Sequence, residues 1–240
     1  MSDVKCEKKG IKIPTYIPKK AHELPMFFEN KPYQGASGRV YPIPYCDGIS
    51  DEKTDVEYET YTLENEYVKT QVVPALGGKI LRGFDKVGNY DFIYYNEVVK
   101  PALVGLAGPW ISGGIEFNWP QHHRPTTFMP LEAIEEDNPD GGKTVWTGEV
   151  EPFGRMKGMA GITVDKGRSY IKAKVRVYNR TAFPQVFMWW ANLAVPVNNA
   201  YRTVFPPDCE WVNDHDRRAV LEWPIAKGLY KTARPYNFGK

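Results

Sequence analysis

The residues best equipped for chemistry lie in one eighteen-residue stretch, Gly108-Pro-Trp-Ile-Ser-Gly-Gly-Ile-Glu-Phe-Asn-Trp-Pro-Gln-His-His-Arg-Pro, ending at Pro125. It holds two of the chain's four histidines, His122 and His123, with a carboxylate at Glu116, an amide at Asn118, a guanidinium at Arg124 and indoles at Trp110 and Trp119. A pyranose ring needs this mixture: its C–H face packs on an indole while its hydroxyls take amide, imidazole and guanidinium partners. Histidine titrates near neutrality, so either imidazole suits proton donation to a ring or glycosidic oxygen. On a strand, adjacent His122 and His123 point to opposite sides, so one of them faces a site and the other does not. Glu116, between Ile115 and Phe117, is either a solvent-facing strand residue or a buried carboxylate with a partner.

A second group follows at Phe205-Pro206-Pro207-Asp208 and Asn213-Asp214-His215-Asp216. The double proline holds Asp208 in a rigid loop, and Asp214 stands beside His215, where it can orient an imidazole. A charged surface turn accounts for the same residues equally well. The histidines show no HxH, HExxH or paired-cysteine spacing, so no metal site is expected. Without GxGxxG, GxxxxGK[ST] or GxSxG, nucleotide cofactors and serine-hydrolase chemistry have nothing to rest on, and no cofactor is expected.

The elements that must position these groups read as strands. Val56 to Leu63 alternates with a two-residue period, and Glu64-Asn65 turns the chain into a second strand, Tyr67 to Val73. Pro74 and Gly77-Gly78 mark a bend before Lys79-Ile80-Leu81 resumes extended structure. Residues 101–130 carry five prolines and four glycines, the composition of a long shaped loop with short strands in it. Asn138-Pro139-Asp140-Gly141-Gly142 reads as the turn of a hairpin between Thr127–Glu136 and Lys143–Glu151. Tyr170 to Tyr178 alternates cleanly, with Ile171, Ala173, Val175 and Val177 expected on a core face. Val186 to Val195 is apolar on both faces and reads as a central strand buried by a second sheet. Residues 1–50 read as an arm with edge strands, packed on a β-sandwich domain at 51–240 that makes one domain overall.

Composition agrees. In 240 residues there are 21 Gly, 20 Pro, 7 Trp and 15 Tyr, which disfavours long helices and suits pleated sheets, so the expected class is all-β. A net charge of +2 is too small to gather nucleic acid or anionic membrane, and no apolar run reaches membrane-spanning length. Three cysteines, Cys6, Cys46 and Cys209, cannot all pair, which fits a reducing compartment and a cytoplasmic location.

Three segments carry a family resemblance. Val73-Pro-Ala-Leu-Gly-Gly-Lys-Ile-Leu resembles the "lPelGGri" opening of galactose mutarotase-like proteins. The stretch KPALVGLAGPWISGGIEFNWPQHHRPTTFMP (residues 100–130), with WWANLAVPVN (189–198) and the FPPD and DH segments at Asp208 and His215, resembles the DUF5107 family within that superfamily. The resemblance covers nearly the whole chain. It implies a β-supersandwich and a mono- or oligosaccharide partner, in a family whose members often carry helical repeats further along. True mutarotases hold an Asn-His pair at the end of a central strand and a late glutamate base. Here Asn192 is followed by Leu193, and Trp211 to Lys240 offers no counterpart of the late glutamate. The tail after Trp223 has little strand pattern, so the expected fold is incomplete at its C-terminal end.

Together these readings give a carbohydrate-binding, carbohydrate-active protein working at or near an anomeric centre, a glycoside hydrolase or epimerase. The expected catalytic residues are Glu116, His122, His123 and Asp208, and the expected substrate contacts are Trp110, Asn118, Trp119, Arg124, Asn192 and His215. The alternative is a non-catalytic sugar-binding module or a fragment of a larger protein.

Overall fold

A computed structural model describes residues 3–23, 42–120, 123–152, 154–214, 219–225, 229–230 and 234–235. The described residues form an all-β protein of antiparallel sheets whose sole helical element is a one-turn 3-10 helix at Pro74–Leu76. No described helix is long and apolar enough to cross a membrane.

The chain divides into two compact units, Met1–Pro196 and Val197–Lys240. In the first, β1 (Lys5–Pro18) and β2 (Ile49–Glu64) make a long ribbon, with Lys5 opposite Glu64 and Tyr16 opposite Lys53. Next come β3 (Val68–Val73), β4 (Lys79–Asp85) and the short β5 (Tyr90–Asp91). The turn from β2 to β3 is built by Asn65, whose Oδ1 accepts the backbone N–H groups of Tyr67 and Val68 at 2.8 and 2.9 Å. Its amide nitrogen donates to the carbonyls of Asp165 and Arg168 at 2.9 and 2.8 Å, so one buried side chain fixes both the turn and its place in the fold.

After a small ribbon of β6 (Ala102–Gly105) and β7 (Gly108–Trp110), β8 (Ile115–Asn118) returns to the first sheet. A second, four-stranded sheet follows: β9 (Glu132–Asp137), β10 (Lys143–Val150), β11 (Lys157–Val164) and β12 (Ile171–Tyr178). The β9–β10 hairpin has Asp137 opposite Lys143, with Asn138 donating to the Gly142 carbonyl across the turn. Finally β13 (Trp190–Leu193) pairs with β8, giving the first sheet the order β1-β2-β3-β4-β8-β13 with β5 on β4. The second unit holds the pairs β14 (Trp211–Asp214) with β15 (Ala219–Glu222) and β16 (Leu229–Tyr230) with β17 (Arg234–Pro235).

The large sheet is apolar on both faces, because neighbouring residues of a strand point to opposite sides. Leu63, Val68, Val72, Ile80, Phe117 and Trp119 meet Val145, Ala160, Ile162 and Val164 in the main core. Val73, Tyr58 and Ile13 face the other way and pack with Leu76, Val99 and Ile111 from the connecting segments. That second layer of loops covers the face on which the candidate site lies.

Three expectations are corrected. Val186 to Val195 is not a buried central strand: only Trp190–Leu193 is extended, and Val186 (83%), Phe187, Met188 and Leu193 are exposed. The reason is position, since β13 ends the sheet order beyond β8 and is paired on that side alone among the described strands. Ile171–Tyr178 is a strand as the alternation requires, but it too ends its sheet, and Ala173 and Val175 are exposed instead of sealed in the core. The hairpin arm expected from Thr127 begins only at Glu132, because Thr126 to Met129 is a turn closed by the Met129 N–H on the Thr126 carbonyl at 2.9 Å.

Candidate functional site

Glu116 is 5% exposed and sits on β8 between Ile115 and Phe117, both of which pack on the main core. Strand alternation therefore sends the Glu116 carboxylate to the opposite face, under the loop layer. Three donors converge on it. The Trp110 indole Nε1 lies 3.2 Å from both oxygens, His123 Nδ1 lies 3.2 and 3.1 Å from Oε1 and Oε2, and Asn192 Nδ2 donates to Oε2 at 3.2 Å. Asn192 is there because it is the direct cross-strand partner of Glu116, as Trp190 is of Asn118.

The imidazole is framed by two indoles. Trp110 and Trp190 each present to His123 in an edge-on arrangement, with centroids 5.9 and 5.8 Å away and planes at 74° and 86°. An ionised carboxylate only accepts hydrogen bonds, so the contact with Glu116 places a proton on His123 Nδ1. Burial by itself pushes the Glu116 carboxyl up, but the hydrogen bond and charge of His123 and the bonds from Trp110 and Asn192 outweigh it, and the pKa falls below its ordinary value.

Lys79, at the start of β4, completes the electrostatics and has no signal in the sequence. It is 2% exposed, and its ammonium donates to the carbonyls of Ile111 and Gly113, each at 2.8 Å. Burial lowers its pKa to about 8, with the negative charge of Glu116 acting the other way.

The other expected contacts are placed differently. Asn118, Trp119 and Arg124 are at most 1% exposed and bind the protein itself. Asn118 Oδ1 accepts the Arg124 backbone N–H at 2.9 Å. The Arg124 guanidinium lies 4.3 Å over the Trp119 ring and donates to Glu149 Oε1 at 3.0 Å and to the Gly77 carbonyl at 2.6 Å. Their expected role in touching substrate is therefore replaced by one of support: they tie the segment that carries His123 to the Gly77 turn and to β10. Asp208 lies exposed in the second unit. His122 and His215 fall outside the described residues, so the choice between the adjacent histidines rests on His123, which meets Glu116. Among the described residues no cluster of three His, Cys, Asp or Glu side chains is arranged to hold a metal ion.

Two surface hollows lie elsewhere on the first unit. One, of about 210 Å³, is lined by Lys69, Gln71, Arg82 and Phe84, and a second, of about 500 Å³, by residues that include Cys6, Thr62, Glu64 and Lys143. Neither gathers donors on a single buried group as Glu116 does, so the chemistry marks the site and the hollows do not.

A match to the family described as "Domain of unknown function (DUF5107)" spans residues 36–238. The chain belongs to the DUF5107 family. The segments that converge at Glu116, Gly108–Pro125 and Trp189–Val195, both lie within the matched region. Among solved structures, this DUF5107 chain is similar to a TPR-domain containing protein from Parabacteroides distasonis, with a TM-score of 0.72 and 25% identity. The match covers 82% of this chain and 33% of that one, so the chain spans about a third of the length of its structural relative.

Proposed function

We propose that this DUF5107 chain is a galactose mutarotase-like carbohydrate-binding protein whose site is the His123–Glu116 pair between Trp110 and Trp190. The observation that carries the reading is the buried carboxylate holding His123 Nδ1 at 3.1 Å between two indole edges. Partly buried indoles supply a face for the C–H side of a mono- or oligosaccharide. With Nδ1 engaged, His123 Nε2 gives a proton to a ring or glycosidic oxygen, and the charge left by Glu116 stabilises the imidazolium before transfer. Glu116 is then the orienting group and not a nucleophile, because burial and three donors occupy its oxygens. That favours epimerase-like chemistry over the paired-carboxylate hydrolysis of ordinary glycosidases.

A second reading, a sugar-binding module without turnover, is supported by Asn192: the residue after it is Leu193, so the strand end that holds a histidine in mutarotases holds none here. Calorimetry with a panel of aldoses and oligosaccharides, together with NMR exchange between anomers, separates the two. Binding and anomeric exchange in the wild type, with exchange lost in His123→Asn, supports catalysis. Binding without exchange supports the module. No heat with any glycan removes the carbohydrate reading.

A further inference from the structure

The ammonium of Lys79 is buried where an apolar side chain would be the cheaper choice, since it follows Gly78 on a face lined by Val73, Leu76 and Ile111. Its two bonds go to Ile111 and Gly113, the carbonyls either side of Ser112 in the turn from β7 to β8. This turn decides whether Trp110, the last residue of β7, and Glu116, the second of β8, can meet. Its backbone needs the help: Gly113 and Gly114 have φ of 82° and 72°, and a Cβ on Gly114 would stand 2.1 Å from the Ile80 carbonyl oxygen. The turn is thus pressed onto β4, and both carbonyls turn inward to a cation carried by that strand. Asn96 holds the same turn from outside, donating to Ser112 Oγ at 3.0 Å, and Gly114 N–H donates to Tyr94 at 2.8 Å.

We infer that Lys79 is a positioning residue of the candidate site, fixing the β7–β8 turn so that the Trp110 indole and the Glu116 carboxylate close on His123. It touches no ligand and acts through the two carbonyls. The claim that this geometry serves sugar binding rests on the function proposed above; the geometric claim does not. A neutral, donor-free side chain at position 79 takes the ammonium from the buried Ile111 carbonyl and the part-buried Gly113 carbonyl, so the turn relaxes and Trp110 withdraws from Glu116. Burial of the amine also keeps its pKa near 8, so at neutral pH the charged form is the main one.

Full-length Lys79→Met, Lys79→Gln and Lys79→Arg test this by solvent exchange of indole N–H groups in NMR, with the Trp110 signal assigned by Trp110→Phe. Trp146, whose indole is bonded to Glu136 in the second sheet, is the internal control. Exchange of the Trp110 indole is expected to accelerate about tenfold or more in Lys79→Met, with Trp146 unchanged and with partial recovery in Lys79→Gln or Lys79→Arg. Unchanged Trp110 exchange in a folded Lys79→Met protein overturns the inference. So does parallel acceleration at Trp110 and Trp146, or failure of all three variants to fold, because either makes Lys79 a general structural residue. Glycan titration of the same proteins is a separate arm: affinity weakened about tenfold in Lys79→Met extends the inference to binding. A wild type that binds no glycan overturns the proposed function while the Trp110 signal still decides the role of Lys79.

Discussion

Asn192 Nδ2 donates to Glu116 Oε2 at 3.2 Å, although 76 positions separate the two residues in the chain. They meet because β13 pairs with β8 in a register that sets Asn192 opposite Glu116. Replacing Asn192 with Ala removes one of three donors from a buried carboxylate and is expected to cost about 1–2 kcal/mol in urea unfolding. Asn192→Asp puts two carboxylates across one strand pair and should cost more than Asn192→Ala at pH 7, with the difference shrinking as pH falls.

Acid stability should report on Glu116. Its pKa is lowered in the folded chain from an ordinary value of 4.5, so the unfolded chain takes up the proton first as pH falls. The stabilising contribution is therefore complete above 4.5 and is lost as pH drops through the lower folded value. Glu116→Gln should flatten this part of the stability curve, and chemical denaturation at a series of pH values below 6 checks it.

Lys79 has the opposite sign. Its folded pKa of about 8 lies below the ordinary 10.5, so between those values the unfolded chain holds a proton that the folded chain has released. Stability from this group therefore rises with pH across that window and is lowest below pH 8. Other amines and tyrosines titrate there too, so the quantity to measure is the stability of wild type relative to Lys79→Met, which should increase as the pH is raised from 8 to 10.5.

Arg124 is a supporting cation, and its loss should act on stability ahead of ligand contact. Arg124→Met takes the cation from Glu149, which keeps the Thr126 hydroxyl, removes a donor from the Gly77 carbonyl and takes the cation from the Trp119 face. The expected cost is about 3 kcal/mol, against roughly half of that for Arg124→Lys, which keeps the charge and loses the fork. Thermal or urea unfolding of the two variants side by side checks the ranking.

Gly77 has φ of 70°, and a Cβ there would stand 2.2 Å from the Thr127 carbonyl oxygen. Gly77→Ala should therefore destabilise by more than about 1 kcal/mol, and the damage should spread to the Arg124 contact on the same turn. Loss of protection at the Gly77 amide, which bonds the Met129 carbonyl at 3.0 Å, would show it by hydrogen exchange.

Much of this protein is determined by sequence alone. Period-two alternation at Val56–Leu63 and Ile171–Tyr178, the Asn65 and Asn138–Gly142 turns, and the density of proline and glycine are local signals, and local backbone preference is enough to make strands and turns of them. The cluster at Gly108–Pro125 was legible for the same reason, since its groups are close in the chain. What tertiary structure decided is which of those groups meet. Alternation puts Glu116 and Phe117 on opposite faces, but only the register of β13 on β8 brings Asn192 and Trp190 to the site, and only the packing of the β7–β8 turn on β4 turns Lys79 into its support. Burial at Val186–Val195 is not legible in the sequence, because an apolar segment reads the same whether or not another layer covers it. Composition limits what a strand is able to bury; the layers packed on its two faces decide what it does bury.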